Sequence, residues 1–154
     1  FMAQALDCKW IFLDHLSILV SGQEEGDERK SIDVLMTKLR SLVEQTGVGL
    51  LLVSHLRRPA GDAGHENGRE VTLSHLRGSA SIAHLSDSVI ALERNQQAED
   101  DVASNTTTIR ILKNRYTGDT GIATHLFYDK ETGRMKEIDN PYEVDDNDGE
   151  EIPF

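Results

Sequence analysis

Two side chains stand where an apolar run ends in a group able to do chemistry. Asp14 closes the run Trp10-Ile11-Phe12-Leu13. A strand covered on both faces reads as a continuous hydrophobic run, and open α/β sheets collect ligands at the carboxyl ends of such strands. A carboxylate delivered there can hold the magnesium ion that bridges nucleotide phosphates; the same residue can equally cap a loop after an ordinary core strand. His55 follows a second run, Val48-Gly49-Leu50-Leu51-Leu52-Val53-Ser54. Two polar groups at one sheet edge would make a site, although a histidine after a strand is also an ordinary loop residue. Beyond His55 lies a long Gly- and Pro-containing loop to Thr72 with Arg57, Arg58 and Arg69. A structureless loop of that length is functional or disordered, and its arginines suit phosphate-backbone contacts, diluted by Asp62, Glu66 and Glu70. His65 and His75, with no other ligand cluster nearby, stand too far apart in sequence for a zinc site.

The elements that must position these groups are legible as periods. Ile32, Leu35, Leu39, Leu42 and Val43 share one helical face, which predicts a helix from Asp27 to Gln45 with acids in its first turn and Gly47 as its stop. Strand, helix and strand in that order make a βαβ crossover with parallel strands. Asp14 and His55 therefore leave the same end of the sheet. Leu76 to Leu85 reads as a turn and a short helix with Ile82 and Leu85 inward, Ser88 to Leu92 as a third core strand, and Asn95 to Asn105 as a polar surface connection. Thr106–Lys113, Ile122–Tyr128 and Arg134–Ile138, separated by Gly-containing turns, read as antiparallel hairpins at the sheet edge.

With 154 residues and 38% apolar content, the chain can build one core of ordinary size. Its single cysteine, Cys8, excludes an internal disulfide framework and fits a reducing compartment. No apolar run reaches the roughly 18 residues of a membrane span, so the expectation is a cytoplasmic protein. The net charge of −11 argues against nucleic acid until its distribution is considered: seven acids and no base fall in residues 139–154, leaving −4 for residues 1–138. That division predicts a folded domain over 1–138 and a disordered acidic tail over 139–154. The opening Phe1-Met2-Ala3-Gln4 is unlike a translation start, which suggests a fragment of a longer chain.

These segments resemble, in order, the C-terminal half of RecA-like hexameric replicative DNA helicases of the T-seven-type phage primase-helicase kind, with DnaB-like and Twinkle-like relatives. The resemblance is carried by Leu13-Asp14-His15-Leu16-Ser17-Ile18, Gly26-Asp27-Glu28-Arg29-Lys30, Ser54-His55-Leu56, Leu76-Arg77-Gly78-Ser79, Ala91-Leu92-Glu93-Arg94-Asn95-Gln96-Gln97, Arg110-Ile111-Leu112-Lys113-Asn114-Arg115 and Thr117-Gly118-Asp119-Thr120-Gly121. It implies the C-terminal portion of a RecA-like P-loop NTPase core, a parallel sheet flanked by helices. It also implies an ATP- or dTTP-driven 5′-to-3′ helicase that moves on single-stranded DNA as a homo-hexameric ring. Asp14 then matches the Walker B carboxylate that orders Mg²⁺, His55 the γ-phosphate sensor, and Arg115 the arginine finger acting on a neighbour's nucleotide. Arg94 and Tyr128 match the pair that sandwiches the nucleotide base. Arg77 and Ser79 join Arg57, Arg58 and Arg69 as DNA-binding residues, and the tail ending in Phe154 is similar to one that docks a replicative DNA polymerase. The phosphate-binding loop G-x-x-x-x-G-K-[ST] and the glutamate that activates water are absent from the sequence, so this chain alone is not expected to hydrolyse NTP. The competing readings are a RecA-like recombinase or clock-type ATPase, and a non-catalytic adaptor that recruits polymerase.

Overall fold

A computed structural model describes residues 6–20, 25–57, 64–78 and 80–142. Strand β1 (Trp10–Leu13) leads through a short helix α1 (Leu16–Val20) to the long helix α2 (Glu25–Thr46) and strand β2 (Gly49–Leu52). β1 and β2 pair in parallel, with Trp10 opposite Gly49 and Leu13 opposite Leu52. This is the expected βαβ crossover. Gly49 has a steric reason to lack a side chain, because a Cβ there would run into the Trp10 indole ring.

α2 forms where it was predicted, one to two residues longer at each end. Ile32 and Met36, one turn apart, are buried against Leu16 and Val20 of α1 and Ile82, with Leu35 and Leu39 packed around them. Leu42 departs from the predicted inner face and is 39% exposed. The core cluster sits under the middle of the helix, leaving that last turn beyond its edge. The helix stops as the sequence required: Gly47 adopts φ +69° and its N–H donates to the Val43 carbonyl at 2.8 Å, the left-handed stop that costs glycine least.

A 3₁₀ turn (Leu73–His75) and helix α3 (Ser81–Leu85) precede strand β3 (Ser88–Glu93), helix α4 (Asp101–Asn105) and strands β4 (Thr106–Asn114), β5 (Gly121–Asp129) and β6 (Arg134–Ile138). The last four strands form an antiparallel sheet in the order β3-β4-β5-β6. Two expectations are corrected here. The run Ser88–Leu92 does not extend the parallel pair among the described residues; it pairs antiparallel with β4, Leu92 opposite Ile109. Its side chains alternate in exposure, Ala91 buried while Ile90 and Leu92 are 57% and 68% exposed, so an apolar run did not mean burial on both faces. The Asn95–Asn105 segment is not merely a surface connection, because α4 buries Ala103 and Asn105, the latter donating to the Asp101 carbonyl at 2.7 Å.

The second sheet buries polar side chains that find partners in the sheet and on α4, the Thr106 hydroxyl donating to the Val102 carbonyl at 2.7 Å. Thr106, Thr108 and His125 are buried, and the Thr108 hydroxyl meets His125 Nδ1 at 3.1 Å. At the β5–β6 turn Asp129 accepts from the Glu131 and Thr132 N–H groups and from Lys136 Nζ at 2.6 Å. The Lys136 contact, followed by the hydrogen bonds from Thr132, lowers its pKa from 3.8 to about 2. A carboxylate depressed on folding supports the fold above its ordinary value and loses that support as pH falls through the folded value. The turn is therefore expected to hold at pH 5 and to loosen between about pH 4 and pH 2. NMR titration of the Asp129 carboxyl checks this, and Lys136→Met should move its midpoint upward.

Trp10 and Phe12, 65% and 71% exposed, share one face of β1 with the 47% exposed Leu51 of β2. No helix among the described residues is long and apolar enough to cross a membrane.

Candidate nucleotide and DNA site

The rim of the parallel pair brings the first two candidates together. Beyond Leu13 and Leu52 the strands continue to track each other, with the Val53 N–H donating to the Leu13 carbonyl and the Leu16 N–H to the Val53 carbonyl, both at 2.9 Å. Asp14 and His55 thus emerge from adjacent strands on the same rim, both exposed. Between them stands a residue that the sequence did not single out. The His15 and His55 rings lie 4.1 Å apart between centroids, tilted by 36°, and His15 Nδ1 is buried without a hydrogen-bond partner among the described residues.

From His55 the chain runs directly into the basic segment. Residues 55–57 pair antiparallel with 75–77: the Arg77 N–H donates to the His55 carbonyl at 3.1 Å, and the Arg57 N–H to the His75 carbonyl at 2.9 Å. Arg57, Arg69 and Arg77 are all exposed. Among the described residues Arg77 has a loose ionic neighbour, Glu28, at 3.9 Å. Gly78 follows with φ +103°, and a Cβ there would strike the Ile32 side chain. Helix α2 is therefore the surface against which this segment turns. Arg58, Ser79 and Phe154 lie outside the described residues.

The sequence separation of His65 and His75 was misleading. Their rings approach to 5.0 Å edge to face, because the loop returns through the 3₁₀ turn. No group of three or more metal-ligating side chains occurs among the described residues. His75 accepts from the Thr72 N–H at 3.2 Å. Desolvation, and then the charges of His65, Arg69 and Arg57, push its pKa below the ordinary histidine value.

The loop base is also fastened to the second sheet. The Val71 N–H donates to Glu93 Oε1 at 2.8 Å and the Gln96 N–H to the Glu66 carbonyl at 2.9 Å, while Asn67 bridges to Asn95. Glu93 in turn pairs with Arg110 at 2.9 Å, and this hydrogen bond raises the Arg110 pKa. Arg94, the next residue, is anchored on α4 through Nε to the Ser104 carbonyl at 2.7 Å and a contact with Asn105 Oδ1 at 3.2 Å. Tyr128 lies on β5 one step beyond the Thr106–Phe127 pair and is 39% exposed. Both residues therefore stand at one end of the antiparallel sheet.

Arg115 begins the turn after β4. Its N–H donates to the Asp87 carbonyl at 2.8 Å, its guanidinium pairs with Asp87 Oδ1 at 3.1 Å, and it donates to the His84 carbonyl at 3.1 Å. Lys113 caps the end of α3 through the Ala83, His84 and Ser86 carbonyls. Neither Asp87 nor Lys113 could be assigned a partner from sequence, since their contacts span tens of residues and follow no local period.

A parallel βαβ unit that gathers an acid and an imidazole at one rim, backed by antiparallel hairpins that carry arginines, defines an α/β domain with its polar site at the strand ends. The family profile described as the DnaB-like helicase C-terminal domain matches residues 1–137. The chain belongs to that family, whose domain is RecA-like α/β. It is 50% identical over 136 residues to the DNA helicase/primase of Enterobacteria phage T3, an alignment that takes in 88% of this chain and 24% of the phage protein. The chain thus spans about a quarter of the length of that relative.

Proposed function

We propose that this chain is the C-terminal part of the motor of a ring-forming replicative DNA helicase that hydrolyses ATP or dTTP and moves 5′ to 3′ on single-stranded DNA. The observation that supports it most is the rim: Asp14 and His55 leave adjacent parallel strands together, and His55 is hydrogen-bonded through its carbonyl to the Arg77 segment. One exposed carboxylate is a fitting complement for Mg²⁺, which keeps much of its water and takes one or two carboxylates beside the substrate phosphates. When bound, the ion neutralises charge that develops on the transferring phosphoryl group.

The chain's own groups then divide the work. Asp14 orients the hydrated ion, and His55 hydrogen-bonds the terminal phosphate. A shift of His55 with nucleotide state pulls on Arg77 and Arg57 through the antiparallel pairing, which changes the grip on DNA. Arg94, fixed by Ser104 and Asn105, and Tyr128 hold the base from two sides. Arg115 serves a neighbouring subunit's nucleotide in a homo-hexamer. The acidic tail ending in Phe154 binds a replicative DNA polymerase.

The test uses the full-length protein on a forked duplex with a single-stranded 5′ tail. Strand displacement should require NTP and Mg²⁺. Arg57→Ala should weaken single-strand binding and reduce the slope of log affinity against log salt by about 0.7, the contribution of one phosphate contact. Unchanged affinity at low salt would remove the loop from the DNA path, and hydrolysis without strand displacement would overturn the helicase reading.

A further inference from the structure

We propose that Asp87 is the positioning residue for the Arg115 guanidinium, tying it to helix α2 through Arg40. This inference rests on the reading of Arg115 as the group that acts on a neighbouring nucleotide. Asp87 sits between α3 and β3, one residue before the Ser88–Asn114 pair that opens the β3–β4 ladder. The Arg115 N–H bond to the Asp87 carbonyl extends that ladder by one step, so backbone register alone brings the two side chains together. The carboxylate then divides its oxygens. Oδ1 takes Arg115 at 3.1 Å and Oδ2 takes Arg40 at 2.7 Å, while Arg40 is held from its other side by Glu44 at 2.7 Å.

The arrangement suits a group that must be aimed. Asp87 is only 28% exposed and Arg40 27%, so their contact is partly shielded from water, whereas Arg115 is 45% exposed at the edge of the network. Arg115 spends one contact on the carboxylate and one on the His84 carbonyl. A guanidinium has further N–H groups in a fixed planar fork, and these remain to meet a phosphate from outside. Fixing the fork before the phosphate arrives avoids ordering a long side chain during the reaction, and a small misplacement of such a group costs on the order of 10²-fold in rate. Arg40 belongs to α2, the helix that connects the two rim strands. The aim of Arg115 is thereby referred to the same element that sets Asp14 and His55.

The experiment compares Asp87→Asn, Asp87→Glu, Arg115→Ala and the Asp87→Asn/Arg115→Ala pair in the full-length protein, with assembly followed by size exclusion and hydrolysis by steady-state kinetics. Asp87→Asn should assemble and lower kcat by roughly 10- to 100-fold with KM little changed, the pattern of an interaction made in the transition state. Asp87→Glu, which keeps the charge, should recover part of the loss. In the Arg115→Ala background Asp87→Asn should cost nothing further. An equal loss in both backgrounds, a change confined to KM, or failure of both Asp87 variants to assemble would overturn the inference. An inactive Arg115→Ala beside a fully active Asp87→Asn would remove the positioning role alone, and a fully active Arg115→Ala would remove the reading beneath it.

Discussion

Arg115→Ala in the full-length protein is expected to assemble normally and to lose hydrolysis by about 10³-fold or more. Arg115 is exposed and makes its polar contacts at the base of a turn, so the substitution chiefly removes a charge. The size follows from the chemistry: phosphoryl transfer spreads negative charge over equatorial oxygens, and a planar, permanently charged fork supplied from a neighbour stabilises that charge more than it stabilises bound substrate. The effect should therefore fall on kcat. Mixing Arg115→Ala with Asp14→Asn subunits sharpens the measurement, because a nucleotide held by the first and served by the second meets both intact groups, so mixed rings should recover part of the hydrolysis that each variant alone lacks. Normal turnover of the pure Arg115→Ala variant would contradict the assignment.

Asp14→Asn is expected to reduce hydrolysis by on the order of 10² to 10³-fold while leaving nucleotide binding largely intact. The replacement keeps the shape and removes the charge that orients a hydrated cation. Because Asp14 is exposed at the end of β1, no folding penalty should accompany the loss. Titration with Mg²⁺ supplies the check: partial recovery at high concentration is the signature of a weakened ion site. Retention of full activity at ordinary Mg²⁺ would dissociate Asp14 from the ion.

What could be read from the sequence was whatever depends on local period. The helical spacing of Ile32, Leu35 and Leu39 defined α2, its flanking apolar runs defined β1 and β2, and the parallel crossover rule then placed Asp14 and His55 at one rim. The hairpins from Thr106 onward were legible because β-branched alternation and Gly-containing turns coincide there. What could not be read was pairing over distance. Nothing in Ser88–Leu92 states that its partner is β4, since an apolar run is compatible with either sheet. The meeting of His65 with His75 depends on the path of a loop. The meeting of Asp87 with Arg40 joins residues on separate elements whose packing is decided by Ile32, Met36 and Ile82. His15 was hidden for a different reason, standing beside a more conspicuous aspartate.

The uncovered face of β1 has one practical consequence. Trp10 is the chain's single tryptophan, and its indole projects from that face over Gly49. The molecule thus carries an intrinsic optical reporter, whose emission colour follows whether water or another protein surface lies against the strand. No label is needed to watch that surface close.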